Sequence, residues 1–321
     1  MINGELIDLV AGDYEARIAT SGATLVHLRR AGSDLVIPFD AEVSLPEGWQ
    51  GKTLVPWPNR IVGARYAYRG QEYPVPCNEP ETGSALHGLV GWADFQVVAT
   101  SAGDDAVGDA PSSVALELTL PGSYAYPWSL QVDVRFALDA RTGLTVAVTT
   151  TCLGAGAPAA PDAVGAPESD GLLAPAPYGV SFHPYLTRSV PLDECVLQVP
   201  AARVLDVDER MAPAAERDVA GTDWDWRAGR PVGTISTDNA YTGLPQGPWE
   251  VRLTGGEAGR TVVMSAEAPW VQVYTAEHLG RRGVAVEPMT CPPDAFNSGR
   301  DLVELEVGRS HSFSYSLRED D

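Results

Sequence analysis

Three residues of this chain are of types, and in positions, that could move protons to and from a small molecule. His183 lies directly before Pro184, which favours an extended backbone for the residue preceding it, at a predicted strand end. His87 is followed by a glycine, which lets another backbone or a ligand approach closely. Glu287 ends the apolar run 283–286, so we expect its carboxyl group to be partly buried, with a pKa open to change. Histidine and glutamate at such positions can act as a general acid and a general base.

Each of these residues also has a purely structural interpretation. His87 and His183 could be loop histidines whose hydrogen bonds are satisfied within the protein. Glu287 could be a strand-end carboxylate paired with an arginine. The remaining histidines are predicted to be structural or solvated: His27, His278 and His311. The residue types alone therefore leave both interpretations open.

Arg60 follows the rigid aromatic stretch Pro56-Trp57-Pro58-Asn59, which is unlike an ordinary solvated loop. Tryptophan and tyrosine rings near polar groups suit stacking on the apolar faces of a sugar ring. Core packing explains most of the 8 tryptophans equally well. The loop is therefore compatible with sugar binding without requiring it.

Motifs for cofactors and metals are missing or interrupted. The four cysteines lie far apart and form no C-x-x-C pair, which argues against a zinc knuckle or a dithiol redox site and favours buried free thiols. Lys52 is the only lysine, and the stretch before it has a proline where a phosphate-binding loop needs its first glycine. Residues 154–159 superficially fit a dinucleotide fingerprint, but Pro158 and Pro161 prevent the helix that it must open. We therefore predict no cofactor and no metal.

The charge of the chain limits its partners. Among 321 residues, 43 acidic side chains outweigh 22 basic ones, which gives a formal net charge of −21. This excess of carboxylates repels phosphate backbones and anionic lipids, so we expect neither nucleic acid nor a membrane as a partner. No run of about 18 apolar residues occurs, and the first segment lacks the basic start of a signal peptide. A cytoplasmic location is the expectation.

Apolar and polar residues alternate with a period of two along much of the chain. The alternation marks four long predicted strands through their apolar positions: Val114, Leu116, Leu118 and Leu120; Leu130, Val132, Val134, Phe136 and Leu138; Leu144, Val146 and Val148; Phe313, Tyr315 and Leu317. Turn residues separate the strands, among them Arg69-Gly70 and Arg141-Thr142-Gly143. With 32 glycines, 26 prolines and hardly any helical period, helices must be few and short. We predict an all-β fold, a large antiparallel β-sandwich with few short helices.

Residues 154–177 form a segment of low complexity that is rich in alanine, proline and glycine. This composition predicts a flexible surface insertion. The period-two pattern continues on both sides, so the segment is predicted to join two strands of one domain. We therefore predict a single domain over residues 1–321.

Six short stretches of the chain are informative because of their order. They are Pro58-Asn59-Arg60-Ile61, Leu86-His87-Gly88, His183-Pro184-Tyr185, Thr237-Asp238-Asn239-Ala240-Tyr241, Gln272-Val273-Tyr274-Thr275 and Glu287-Pro288, followed by Pro293-Asp294-Ala295-Phe296-Asn297. In this order they resemble the aldose 1-epimerase (galactose mutarotase) family. Any one stretch is weak, but six in order are strong, and the resemblance covers essentially the whole chain.

The resemblance implies both a fold and a set of site residues. Family members have a galactose mutarotase-like supersandwich, a large antiparallel β-sandwich with an open sugar-binding cleft. By resemblance, Glu287 is the general base on the anomeric hydroxyl group, and His183 protonates the ring oxygen. His87 and Arg60 would bind or polarise the sugar, and Asp238 would hold ring hydroxyl groups.

Asp223 and Asp225 lie near Asp238 in the sequence and are alternatives for its role. The activity implied is the interconversion of the α and β anomers of a free aldose, so the expected partner is a small monosaccharide. Two other functions stay open. A hexose-6-phosphate 1-epimerase would need cations for the phosphate, for which Arg281-Arg282 is a candidate. A carbohydrate-binding or sensing protein would need no matched acid and base.

Overall fold

Antiparallel strands are the framework of the protein. Its structure is a computed structural model that describes residues 2–103, 110–155, 174–256 and 259–320. The strands in chain order are β1 (Leu6–Ala11), β2 (Tyr14–Ala19), β3 (Thr24–Arg30), β4 (Ser33–Asp34), β5 (Thr53–Leu54), β6 (Arg60–Ile61), β7 (Arg65–Tyr68), β8 (Gln71–Pro74), β9 (Ala85–Leu86), β10 (Gln96–Ser101), β11 (Ser113–Leu120), β12 (Trp128–Asp139), β13 (Gly143–Ala155), β14 (Ala176–Tyr178), β15 (Ser181–Phe182), β16 (Tyr185–Thr187), β17 (Val196–Gln198), β18 (Arg203–Val207), β19 (Pro213–Asp218), β20 (Arg230–Pro231), β21 (Asp238–Thr242), β22 (Trp249–Thr254), β23 (Thr261–Ala266), β24 (Trp270–Tyr274), β25 (Gly283–Met289), β26 (Val303–Leu305) and β27 (Ser310–Asp320).

Helical segments within the described ranges are few and short, as the sequence predicts. A single α-helical turn, α1, spans Ala295–Ser298. Turns of 3-10 helix occupy Glu47–Trp49, Val62–Ala64, Leu192–Glu194 and Glu277–Leu279. None of the helices in these ranges has the length and apolar character that crossing a membrane requires.

Two large sheets contain most of the strands. One has nine strands in the order β10-β11-β12-β13-β27-β23-β22-β17-β20, and the other has eight, in the order β19-β18-β21-β24-β25-β15-β5 with β16 paired to β25. The pairings within both sheets are antiparallel. A smaller sheet has the order β1-β2-β3-β4. The predicted all-β antiparallel fold is confirmed.

Apolar side chains from the two large sheets form one core. Phe182 on β15 lies 4.8 Å from Tyr315 and 6.1 Å from Phe313 on β27, measured between ring centroids. Val146 and Val148 of β13 belong to the same buried cluster. Removing a buried ring such as that of Phe182 typically costs about 3–5 kcal/mol. The predicted alternating runs coincide with β11, β12, β13 and β27, so the alternation identifies the strands that face this core.

The predicted turn Arg69-Gly70 closes the hairpin between β7 and β8. Tyr68 pairs with Gln71 across it, and the two turn residues have φ angles of +50° and +82°. Two successive left-handed residues give a hairpin turn whose twist matches that of the flanking strands. The turn is confirmed.

The predicted insertion at 154–177 lies mostly outside the described residues. Its first two residues, Gly154 and Ala155, belong to β13, and its last two, Ala176 and Pro177, belong to β14. Both flanks are therefore strands, as the period-two pattern predicts. The single-domain assignment stays a prediction.

Three of the four cysteines are buried free thiols, as predicted: Cys152, Cys195 and Cys291. Cys77 is exposed, so the prediction is wrong for this residue. It lies in the loop between β8 and β9, and connecting loops run over the protein surface.

His27 on β3 makes the fold sensitive to acid. Its ring lies in a surface groove beside Arg17 and Arg29, and burial, together with these charges, lowers its pKa from 6.5 to about 4. The imidazole of the unfolded chain therefore binds a proton more readily than that of the folded chain. The free energy of unfolding is highest above about pH 6.5 and decreases as the pH falls toward about 4. We expect His27→Gln to reduce this acid-dependent loss of unfolding free energy by about 2 kcal/mol, discounted for the partial exposure of the ring. Urea denaturation across this pH range measures the change, and an unaltered pH dependence would contradict it.

Candidate active site

The pairing of β25 with β15 and β16 sets His183 opposite Glu287. Ser181 of β15 pairs with Met289 of β25, and Tyr185 of β16 pairs with Ala285 of β25. His183 is midway between the first two residues of these pairs, so it lies opposite Glu287, which is midway between the other two. His183 Nε2 lies 3.3 Å from Glu287 Oε1, and both side chains are buried. The proposed acid and the proposed base are thus in direct contact.

Side-chain alternation along the eight-stranded sheet separates the site from the core. On β25, Val284 and Val286 belong to the main core cluster, whereas Glu287 points to the opposite face. Glu287 pairs across the sheet with Gln272 on β24, whose Nε2 donates a hydrogen bond to Asp238 Oδ1 on β21 at 2.6 Å. Four neighbouring segments of the sheet therefore contribute one polar side chain each.

Gln272 is a site residue to which the sequence analysis assigned no role. Its signal in the sequence is its place in one of the six ordered stretches, Gln272-Val273-Tyr274-Thr275. Its side chain is buried between two carboxylates, and its Oε1 has no hydrogen-bond partner among the described residues. That oxygen is therefore free to accept a hydrogen bond from a bound hydroxyl group.

The strand pair β6–β9, outside the eight-stranded sheet, positions Arg60 and His87. Arg60 on β6 pairs with Leu86 on β9, next to His87. The backbone N–H of Asn59 donates to His87 Nδ1 at 3.2 Å, and the backbone N–H of His87 donates to the Asn59 carbonyl at 2.8 Å. A neutral His87 therefore carries its proton on Nε2, where it can donate to a ligand.

The five predicted site residues are brought together. One side-chain ligand atom from each of His87, His183 and Glu287 lies within 4.8 Å of the others. The pairing of Arg60 with Leu86 sets Arg60 beside His87, and the charge of Arg60 also acts on the pKa values of Glu287 and Asp238. Residues far apart in the sequence thus form one polar cluster.

Asp238, and neither of the two alternatives, joins this cluster. Asp225 is bound to Arg227 at 2.7 Å, and Asp223 lies 3.6 Å from Arg230. Both alternatives are therefore engaged in ion pairs with arginines that are close to them in the sequence.

Two buried polar atoms of the proposed acid and base have no partner among the described residues. They are His183 Nδ1 and Glu287 Oε2. Buried polar atoms are nearly always hydrogen-bonded in folded proteins. With Gln272 Oε1, they form a set of unpartnered groups at one place, which is the arrangement expected of a site that binds a polyhydroxylated ligand.

Two histidines and a carboxylate are also ligand types for transition metals. His87, His183 and Glu287 are the residues of the described chain that could hold such an ion. The 3.3 Å contact between His183 and Glu287 already uses one ligand atom of each. The absence of a metal therefore stays a prediction.

Burial disfavours the charged form of both members of the acid–base pair. Burial lowers the pKa of His183 to about 3. Burial also raises the pKa of Glu287 well above its usual value; the charge of Asp238 adds to this, and Arg60 opposes it. The His183–Glu287 pair thus holds one proton that either Nε2 or Oε1 can carry.

The other two polar groups respond to burial in the same direction. Burial lowers the pKa of His87 well below its usual value, and the neighbouring His183 and Arg60 contribute to the lowering. Burial raises the pKa of Asp238, although Arg60 and the hydrogen bond from Gln272 oppose this. His87 is therefore a neutral hydrogen-bond donor.

Glu79 fixes the guanidinium group of Arg60. Arg60 Nε and Nη2 each donate to a different carboxylate oxygen of Glu79 at 2.7 Å. The hydroxyl group of Thr82 donates to the same carboxylate. Burial by itself would raise the pKa of Glu79, but the hydrogen bonds from Arg60 and Thr82 hold it below its usual value. No sequence pattern pointed to Glu79.

His278 contacts two tyrosines that lie beside the candidate site. Its Nδ1 lies 2.9 Å from the hydroxyl oxygen of Tyr274, and its ring is 5.9 Å from that of Tyr185. Tyr185 in turn stacks on His183 with ring centroids 4.9 Å apart. His278 is exposed, as predicted, and it borders the polar cluster.

Comparison with known proteins identifies the family. The family model for aldose 1-epimerase matches residues 5–160 and 167–318. The chain is 38% identical to the uncharacterized protein YihR of Escherichia coli K12 over 98% of this chain and 93% of that protein. The chain belongs to the aldose 1-epimerase family.

Solved structures share the fold. The GalM/aldose epimerase homologue of C. elegans superposes with a TM-score of 0.79 at 20% identity, covering 98% of each chain. Galactose 1-epimerase of Lactobacillus acidophilus has a TM-score of 0.78 at 16% identity, covering 96% of this chain and 92% of that one. The sandwich is thus that of galactose mutarotase-like proteins.

The Arg60–Glu79 ion pair predicts a stability effect. The two side chains are only 11% and 17% exposed, so Glu79→Ala leaves a largely buried guanidinium group without its counter-ion. We expect a loss of about 3 kcal/mol in unfolding free energy. The matched control is Glu81→Ala, an exposed carboxylate two residues further on, which we expect to change stability by less than about 0.5 kcal/mol. Equal effects of the two substitutions in urea denaturation would rule out a structural role for the pair.

Proposed function

We propose that the protein is an aldose 1-epimerase that interconverts the α and β anomers of a free aldose. Glu287 is the general base and His183 the general acid in this proposal. The observation that carries it is the buried contact of 3.3 Å between the two groups. Each also keeps one unpartnered polar atom for a ligand. The family of the chain supports the same reaction class.

The proposed reaction needs two proton transfers in each direction. Glu287 takes the proton from the anomeric hydroxyl O1, and His183 gives a proton to the ring oxygen O5. The C1–O5 bond then breaks, and O1 becomes the carbonyl oxygen of the open-chain aldehyde. After rotation about C1–C2, the 5-hydroxyl attacks the other face, His183 recovers its proton, and Glu287 returns one to O1. A positioned acid and base typically contribute about 10²–10⁴-fold to the rate.

The proton content of the pair fits this cycle. An imidazolium with a carboxylate and a neutral imidazole with a carboxylic acid contain the same number of protons. Because burial disfavours both charges, the resting pair favours the neutral form, and transfer of one proton to His183 produces the reactive form.

The surrounding groups are proposed to hold and polarise the sugar. His87 donates from Nε2, and Arg60 supplies a fixed positive charge toward the ring oxygen, where negative charge develops. Asp238 and Gln272 accept hydrogen bonds from ring hydroxyl groups. Because their hydrogen bonds and ion pair already orient these side chains, little reorganisation is needed when the sugar binds.

The contacts of Arg281 argue against a sugar phosphate at the arginine pair. Arg281 lies 2.7 Å from Asp193 and 3.0 Å from Glu277, and it also donates to the carbonyl of Gly233. Arg282 donates from Nε to the carbonyl of Leu279. Local carboxylates therefore neutralise Arg281, and a backbone carbonyl occupies Nε of Arg282, which supports a neutral monosaccharide as the substrate. We propose a cytoplasmic site of action on the grounds of the composition.

Anomer-resolved proton NMR tests the proposal. Purified protein is added to separate equilibrium mixtures of glucose, galactose and their 6-phosphates, and exchange between the α and β anomeric protons is measured by magnetisation transfer. Acceleration proportional to protein concentration supports an epimerase, and binding without acceleration supports a sugar-binding protein. Acceleration confined to the 6-phosphates would favour the hexose-6-phosphate 1-epimerase.

The base assignment predicts the effect of Glu287→Gln. Glutamine keeps the size of the side chain but cannot accept the O1 proton, so we expect kcat to fall by at least roughly 10²-fold. Glu267→Gln, at an exposed position after β23, is the matched control and is expected to leave kcat unchanged. Near-normal mutarotation by Glu287→Gln in polarimetry would refute the assignment.

The acid assignment predicts opposite pH dependences for wild type and His183→Asn. In the wild type, the pair loses its shared proton as the pH rises through the raised pKa of Glu287, so kcat/KM falls on the basic side. A second proton binds to the pair only near the lowered pKa of His183, about 3. The value of kcat/KM is therefore expected to stay constant on the acidic side until the pH approaches that value. In His183→Asn, only ionised Glu287 is active, so the residual rate should rise with pH. A basic decline that survives in this variant would assign the acid to His87.

A further inference from the structure

Tyr274 lies on β24 beside the two residues that are proposed to hold ring hydroxyl groups. It follows Gln272 by two positions, so both side chains point to the same face of the sheet. Tyr274 pairs directly with Asp238 on β21 and with Ala285 on β25. Directly opposed side chains of antiparallel strands are neighbours. Tyr274, which is half-buried, therefore adds an aromatic hydroxyl group to the Asp238 end of the polar cluster.

The imidazole of His278 fixes the hydroxyl group of Tyr274. The two rings are parallel to within 3°, with centroids 5.5 Å apart, and His278 Nδ1 lies 2.9 Å from the hydroxyl oxygen. Burial raises the pKa of Tyr274 and lowers the pKa of His278, so both groups are neutral at neutral pH. With its proton on Nδ1, neutral His278 donates to the tyrosine oxygen and leaves the hydroxyl proton of Tyr274 for a ligand.

The 3-10 turn that carries His278 is itself fixed by hydrogen bonds. Glu277 Oε1 accepts hydrogen bonds from Ser236 at 2.8 Å, from Thr275 at 2.6 Å and from Arg281 at 3.0 Å. Leu279, which follows His278, is buried. The imidazole therefore has a defined position before any ligand binds, although it lies at the protein surface.

On its other side, His278 packs against the turn at Gly48. Gly48 has a φ angle of +55°, and an added Cβ atom would overlap His278 Nε2. The carbonyl of Gly48 accepts a hydrogen bond of 2.7 Å from Tyr185, and the next residue, Trp49, contacts the ring of His87 at 5.1 Å between centroids. Glycine at this position thus leaves the space that the imidazole occupies.

The order of the strands indicates which part of the sugar lies near Tyr274. Across the sheet, His183 is followed by Glu287 on β25, then by Gln272 and Tyr274 on β24, and then by Asp238 on β21. In the proposed reaction, O5 lies at His183 and O1 lies at Glu287. Carbon C2 is on the other side of C1 from O5, so the 2- and 3-hydroxyl groups extend toward β24 and β21.

The register separates these two hydroxyl groups. Gln272 is directly opposite Glu287, so its Oε1 is nearest to the 2-hydroxyl group, next to the anomeric carbon. Tyr274 and Asp238 lie farther from Glu287, in the direction of the 3-hydroxyl group. A hydroxyl group that donates to the Asp238 carboxylate has lone pairs left, and the hydroxyl group of Tyr274 can donate to them.

We propose that Tyr274 binds the 3-hydroxyl group of the sugar and that His278 is a positioning residue that orients Tyr274, so that the two together select sugars with this hydroxyl group. The inference rests on the proposed epimerase function. A site built to hydrogen-bond a hydroxyl group rejects the analogue that lacks it, because its own polar groups are then left unpaired.

The test compares glucose, 3-deoxyglucose and 4-deoxyglucose as substrates of wild type and of Tyr274→Phe, by anomer-resolved NMR. We expect the ratio of kcat/KM for glucose to that for 3-deoxyglucose to fall roughly tenfold in Tyr274→Phe, because one hydrogen bond to the 3-hydroxyl group is lost. The ratio of glucose to 4-deoxyglucose should stay as in the wild type. Tyr124→Phe, at a tyrosine that is 69% exposed between β11 and β12, is the matched control and should alter neither ratio.

Two variants of His278 test its positioning role. His278→Asn keeps a polar group near the position of Nδ1, whereas His278→Phe keeps a ring that can stack on Tyr274 but cannot form the hydrogen bond. We expect His278→Asn to retain most of the ratio of glucose to 3-deoxyglucose, and His278→Phe to lower it severalfold. The opposite order would show that the ring serves only for packing, and it would overturn the positioning role.

The outcomes distinguish this inference from the proposed function. If wild type turns over glucose, but the ratio of glucose to 3-deoxyglucose is unchanged in Tyr274→Phe, or the ratio for 4-deoxyglucose falls equally, the inference is overturned and the proposed function stands. If wild type turns over neither glucose nor galactose, the proposed function fails and this inference fails with it.

Discussion

The register between β25 and the two short strands beside it is the constraint on which the candidate site depends. His183 and Glu287 meet because β15 and β16 pair with β25 on either side of them. A slip of one residue along β25 would turn Glu287 into the core and bring a valine to the site. The burial of Val284 and Val286 prevents this slip, so the same packing that stabilises the sandwich also aligns the acid with the base.

Burial shifts the pKa values of this acid–base pair, and it also leaves polar atoms of the pair without hydrogen bonds, which lowers the stability of the fold. In water, a carboxylic acid and an imidazole would exist as independent groups with ordinary pKa values, whereas here the charged form of each is destabilised by burial. Because both groups are buried, solvent does not supply the missing hydrogen bonds, and each group retains one polar atom without a partner among the described residues. The protein tolerates these unsatisfied groups because a large core supports the sheet on its other face. A ligand with several hydroxyl groups would satisfy them.

The sequence predicted the strands that face the core better than the segments that build the site. Alternation identified β12 and β13 because each has a long period-two pattern, whereas β5 and β15 have two residues each and contain no period to detect. The five site residues were named through a resemblance, since spacing alone left structural alternatives open. Glu79 was missed because its partner Arg60 lies 19 residues away, and the pairing depends on how a loop folds.

Paired strands form one side of the site and loops form the other, and the two sides have different functions. On one side, regular strand pairing positions Glu287 and His183, and any change there disturbs the core. On the other side, loops carry Asn59, His87 and Trp49 with positive φ angles, each of which costs about 1–3 kcal/mol for a residue other than glycine. The loop side is held by local hydrogen bonds, ring contacts and the short pairing of β6 with β9. Substitutions in the loops can therefore alter which sugars fit while the strand pairing keeps the acid and base in contact.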